Sequence, residues 1–145
     1  MNVAIFSRKV VKQNLPYFKE IIDTIKDFGW HPIFEKELKS HLISKMDLSP
    51  LEDEYSSHHD FQSGIDLMLS IGGDGTFLEA VTLVREKPIP IAGINSGRLG
   101  FLADIAQEEI NLAVDSIFHG LFLVEERSLI QLHTDQPLFG DFNIA

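Results

Sequence analysis

Cysteine is absent from the 145 residues, which excludes disulfides, thiolate zinc sites and a cysteine nucleophile and is compatible with a reducing compartment. No apolar run approaches the ~18 residues of a membrane span, and Met1 to Phe6 is too short and wrongly flanked for a signal peptide. A cytoplasmic protein is expected. Basic residues are scarce: 12 Lys and Arg stand against 22 Asp and Glu, a net charge of −10. That balance argues against nonspecific nucleic-acid binding, which needs a basic face to displace counterions. The cations are also unevenly placed. Residues 1–45 hold eight of the twelve against five acids, and residues 46–145 hold four against seventeen, so the early chain can offer cations to an anionic ligand. What is present is 44% hydrophobic content, enough for one ordinary domain with a core.

Val3-Ala4-Ile5-Phe6 reads as a short buried strand ending in Ser7-Arg8-Lys9. A helix follows, with Pro16 in its first turn, Ile21, Ile22, Ile25 and Phe28 on one face and Gly29 at its end. Trp30 to Phe34 is the next strand, and Pro32 confines it to an edge or a strand start. Residues 35–45 are helical with Leu38 and Leu42 inward, and Asp47 to Gly64 is a mobile surface loop. Ile65–Ile71 is a buried strand, a helix begins at Thr76, Ile89–Ile94 is another strand, and a helix runs from about Gln107 to His119 with Gly120 beyond it. The alternation predicts an α/β fold, a three-layer doubly wound mostly parallel sheet over residues 1–120, with ligands at the carboxyl ends of its strands. From Leu121 to Ala145 apolar residues alternate and helical periodicity is lost, as in the opening strands of another unit.

Both glycine-bearing segments fall at strand ends. In Gly72-Gly73-Asp74-Gly75-Thr76 the missing Cβ atoms let backbone N–H groups approach a polyanion, and the following helix aims its positive end at the same point. Asp74 stands out in such a cradle. It is tolerable if it binds Mg²⁺, if it takes a proton from a hydroxyl that attacks a phosphoryl group, or if it caps the helix. Arg8 and Lys9, and Arg98 in the second segment, either meet phosphates or are solvated charges. His58-His59-Asp60 is adjacent histidine in a polar loop without further ligands, and no metal site is assigned to it; His119 and His133 add no usable spacing.

The first segment followed by Gly93-Ile94-Asn95-Ser96-Gly97-Arg98-Leu99-Gly100-Phe101-Leu102 resembles the paired signatures of NAD kinases, which phosphorylate NAD at the adenosine ribose. Diacylglycerol, sphingosine and 6-phosphofructokinases share the first motif type, and the Leu99-Gly100-Phe101-Leu102 ending is similar to NAD kinase. A lipid or small-alcohol kinase, or a nucleotide-binding module without catalysis, are the alternatives. The resemblance implies ATP or polyphosphate and NAD as substrates, a divalent ion, Mg²⁺, on the phosphates, and a homo-oligomeric enzyme without nucleic-acid or membrane partners. It implies that Asp74 accepts the proton of the ribose 2′-hydroxyl, that Gly73, Gly75 and Thr76 contact substrate, and that Asn95, Leu99 and Phe101 hold the dinucleotide; Gly72, Arg8 and Lys9 would meet phosphate. Asn95 alternatively closes a turn, and Leu99 and Phe101 are alternatively core. Two departures stand out. Glu79 occupies a position where many NAD kinases carry a basic residue, and residues 121–145 resemble only the start of the β-rich second domain, so residues 1–145 alone are expected to be inactive.

Overall fold

The computed structural model describes residues 1–46, 53–61, 64–97 and 100–130. Five strands form one sheet: β1 (Asn2–Phe6), β2 (His31–Glu35), β3 (Glu54–Tyr55), β4 (Leu67–Gly72) and β5 (Ile91–Asn95). Their spatial order is β3-β2-β1-β4-β5 and every pairing is parallel. Helices α1 (Leu15–Asp27), α2 (Lys36–Lys45), α3 (Asp74–Val84) and α4 (Ile110–Phe118) cover both faces, as the alternating sequence pattern requires.

Strand alternation divides the core in two. Val3, Ile5, Leu67, Leu69 and Ile71 pack with α1, α2 and α4, while Ala4, Phe6 and Met68 face the opposite way onto Ala80 and Val84 of α3. All six residues of β4 are buried, because this strand lies between β1 and β5 with helices on both sides. In α1, Phe18, Ile21, Ile22 and Ile25 form the inward stripe, and each such burial contributes about 1.5–3 kcal/mol. Pro16 lies in the first turn, where its missing N–H costs nothing, and Gly29 ends the helix region with φ 70°. The Glu35 carboxylate caps α2 by accepting the Leu38 N–H at 2.7 Å.

Pro32 resolves in a specific way. β2 lies between β1 and β3, but β3 meets it only at Phe34 and Glu35, so the prolyl nitrogen falls where the outer side of β2 has no partner strand. Three expectations need correction. The segment read as a surface loop holds β3 and a 3-10 turn at His58–Phe61, and it buries Tyr55 and Phe61 in the core on the α3 face. The Tyr55 hydroxyl donates to the Ile5 carbonyl at 3.0 Å, and burial, with Glu35 adding, pushes its pKa upward. Second, α3 begins at Asp74 rather than Thr76, with Gly73 as its N-cap. Third, the last helical segment opens as a 3-10 turn (Gln107–Glu109) before α4. Residues 121–130 carry no regular element and are exposed; the remainder of the expected opening strands, 131–145, lies outside the described residues.

The strand order reverses between β1 and β4, since connections from these neighbours lead to opposite sides of the sheet. At such a switch the following loops part and leave a crevice at the carboxyl ends of the strands.

Candidate functional site

A cleft of about 630 Å³ lies at that crevice. Ser7, Arg8 and Lys9 come from the segment after β1, Gly72 from the end of β4, Gly73 from the cap that follows it, and Gly75 and Thr76 from the first turn of α3. The structure therefore brings the early cations to the glycine cradle across more than sixty positions of sequence. Asn14 before α1 and Ser96 after β5 also line it, and sequence reasoning had not singled out either. Gly72 is required by packing: a Cβ there would lie 2.7 Å from the Thr76 Cβ. At Gly73 and Gly75 a Cβ would meet open space, so packing does not require glycine there and the backbone stays accessible from the cleft.

Asp74, the first residue of α3, turns its carboxylate onto the second loop. Oδ2 accepts the Phe101 N–H at 2.9 Å, and Oδ1 accepts those of Leu102 and Ala103 at 3.0 and 3.1 Å. The helix-cap alternative is not what is seen, because Gly73 holds that position and makes no side-chain bond. The N–H groups of Phe101, Ala103 and Leu102 favour the anion and hold Asp74 below the usual carboxylate range. Gly100 is part of the same device: a Cβ on it would sit 2.6 Å from the Asp74 Cγ. The sequence signal for this was a glycine directly before Phe101, within a motif, with no turn requiring it.

Asn95 is buried at the end of β5. Its Oδ1 accepts the Gly97 N–H at 2.7 Å and its Nδ2 donates to the Ala103 carbonyl at 3.3 Å, so the amide closes the second loop. Phe101 is 95% exposed, which places an aromatic ring in water beside Asp74 rather than in the core. Leu99 and Arg98 lie outside the described residues. Glu79, one and a half turns into α3, places Oε2 2.5 Å from the Arg8 Nε. That oxygen is buried and has no aligned hydrogen bond, so the pair is a charge contact.

The His58 and His59 rings lie 3.7 Å apart, tilted at 42°, and the His58 Nε2 accepts from the Arg85 Nη1 at 3.0 Å. Desolvation, then the charges of Arg85, His59 and Lys87, lower the His58 pKa. This corner docks the 3-10 turn on the end of α3, and Lys87 donates to the His58 carbonyl at 3.1 Å.

A parallel sheet with helices on both faces and a glycine-lined cleft at its strand switch defines a doubly wound α/β protein. Residues 3–122 match the family model described as the ATP-NAD kinase N-terminal domain, and the chain belongs to that family. It is 36% identical to an NAD kinase of Cytophaga hutchinsonii over 145 residues, all of this chain and 50% of that protein. It is 36% identical to an NAD kinase of Bacteroides fragilis over 135 residues, 93% of this chain and 46% of that protein. The chain spans about half the length of the curated relatives it matches. Yeast NADH kinase, solved in complex with NADH, shares the fold with a TM-score of 0.68 at 22% identity, over 82% of this chain and 38% of that one. Among the described residues no helix is long and apolar enough to cross a membrane.

Proposed function

We propose that the protein is an NAD kinase, transferring a phosphoryl group from ATP or polyphosphate to the adenosine ribose 2′-hydroxyl of NAD to give NADP. One observation carries the reading: Asp74 stands between a glycine-lined cleft and a second loop that presents an exposed aromatic ring. Family membership and the likeness to bacterial NAD kinases support it. Donor phosphates lie in the cleft against the backbone of Gly72, Gly73, Gly75 and Thr76, where α3 directs its positive end. Arg8 and Lys9 face the same anions. NAD approaches from the second loop over the exposed Phe101 ring, with Asn95 shaping that loop from beneath.

Asp74 Oδ1 is engaged by two N–H groups and Oδ2 by one, so Oδ2 keeps acceptor capacity for the ribose hydroxyl. The 2′-oxygen bonds to the terminal phosphorus as the bond to the leaving oxygen breaks, and the hydroxyl proton passes to Oδ2. A carboxylate held below its usual pKa is a weak base. It is ionised at neutral pH, and a loose transition state asks for orientation and charge more than for basicity. Among the described residues no three His, Asp or Glu side chains converge as a metal cage. A divalent ion such as Mg²⁺ would neutralise charge on the donor phosphates. The same reading makes the enzyme a cytoplasmic homo-oligomer.

In the intact protein, Asp74→Asn should lower NADP formation about 10²- to 10⁴-fold, the range of a positioned general base. Wild-type turnover in that variant would remove Asp74 from the chemistry. Phosphorylation of a lipid or simple alcohol without NADP formation by the unmodified protein would remove NAD as the acceptor.

A further inference from the structure

We propose that Glu79 is a built-in counter-ion for Arg8, and that a polyphosphate entering the cleft takes Arg8 from it, so the pair sets the anion affinity of the cleft. The inference rests on the phosphate reading of the cleft given above. Arg8 follows β1 and lines the cleft beside Gly72 and Gly73, while Glu79 projects from the second turn of α3. The two are 71 positions apart in sequence, and the sheet switch brings them to 2.5 Å.

Three features make this an exchangeable pair. The Arg8 side chain is 58% exposed and that of Glu79 39%, so the guanidinium is open to an incoming ligand and the contact is a modest one. The contact is not an aligned hydrogen bond: Glu79 Oε2 is buried with no hydrogen-bond partner. A phosphate, by contrast, offers the guanidinium two parallel, charge-assisted hydrogen bonds, which is the geometry that its fixed fork of N–H groups fits. A single carboxylate oxygen facing Nε thus stands where a better anion can displace it. Lys9 lines the same cleft and makes no ion pair among the described residues, so it is the uncompensated cation of the two.

Any anion that engages Arg8 must outcompete Glu79, so Glu79 lowers the affinity of the cleft for such a ligand.

The test is calorimetric titration of the intact protein with inorganic triphosphate at fixed ionic strength and without divalent ions. Glu79→Gln should tighten triphosphate binding about fivefold, the size of an exposed ion pair. Arg8→Ala should weaken it about tenfold. In the Arg8→Ala background, Glu79→Gln should no longer matter, while Lys9→Ala should weaken binding by the same factor with or without the Glu79→Gln change. Tightening by Glu79→Gln that persists without Arg8 would show a general field effect and overturn the exchange. Binding unaffected by Glu79→Gln in the presence of Arg8 would do the same and leave the phosphate cleft standing. Failure of the unmodified protein to bind triphosphate at all would overturn the phosphate reading itself, and Glu79's role with it.

Discussion

The two glycine loops meet at one carboxylate, yet they are held in place by different means. The first is fixed from within: the Gly73 carbonyl accepts the N–H groups of Thr76 and Phe77 at 2.9 and 3.1 Å, and Thr76 packs on Gly72. Its shape is that of a helix start and follows from its own residues. The second loop has no helix to shape it. It is held by the Asn95 amide, by a bridge in which Ile105 donates to the Gly93 carbonyl at 3.1 Å and accepts the Asn95 N–H at 2.8 Å, by the Ser96 N–H on the Gly72 carbonyl at 3.3 Å, and by the three N–H groups given to Asp74. The order of the second loop is therefore borrowed from the first. The side chain proposed as the base also sets the shape of the loop facing it.

The strongest way to break this arrangement is to separate the second loop from the sheet beneath it. Gly93 of β5 is the contact point: a Cβ there would lie 2.7 Å from the Ala103 Cα and 2.8 Å from the Phe77 ring. Backbone cannot rotate aside as a side-chain tip can. Gly93→Ala should cost about 2–3 kcal/mol, as overpacking a tight core does. Urea denaturation should show a lower midpoint at an unchanged slope. A variant as stable as the parent would mean that the second loop does not rest on β5.

A smaller effect, confined to the second loop, should follow from disturbing Asp74. Its carboxylate pKa is depressed in the folded chain, so the stabilisation it gives is fully present above the unfolded value, about 3.9. It is lost as pH falls through the folded value. The amide resonances of Phe101, Leu102 and Ala103 should titrate together with a midpoint below about 3.9. Gly100→Ala, which places a methyl group against the carboxylate, should abolish that shared titration and speed hydrogen exchange at the same amides. The amides of Thr76 and Phe77 should keep their protection. Loss of protection in both loops would contradict the borrowed order of the second.

What sequence could reveal follows the same division. The inward stripe of α1, the Gly29 terminus and the buried run of β4 are each written in neighbouring residues and formed close to expectation, with Phe18 in the buried stripe in place of Phe28 and β4 at Leu67–Gly72 rather than 65–71. β3 escaped because it is two residues long, and its strand character comes from pairing with Phe34 and Glu35 rather than from Glu54 and Tyr55 themselves. The start of α3 was misplaced by two residues because glycines at the cap mask the helical turn already formed at Asp74. In the site, the glycines and Asp74 were legible as a motif. Their links were not: Asp74 bonds residues 27 to 29 positions away, and Arg8 meets Glu79 across the switch between β1 and β4. Motifs name the parts of such a site, and only the sheet order says which parts touch.

The smallest expected effect tests the floor of the first loop. Ser70 of β4 pairs in register with Phe6 and Gly93, and its hydroxyl is buried without a hydrogen-bond partner. Nothing in the packing argument needs that hydroxyl, and its desolvation is uncompensated. Ser70→Ala removes it without adding volume. The variant should be as stable as the parent or more stable by up to about 1 kcal/mol, read as an unchanged or raised midpoint in thermal unfolding. If the first loop is held by helix geometry and packing alone, triphosphate binding should be unchanged as well. A variant that loses stability would show that the Ser70 hydroxyl holds the loop through a bridging water. The first loop would then depend on a polar link as the second does, and the contrast between the two would narrow to the number of such links.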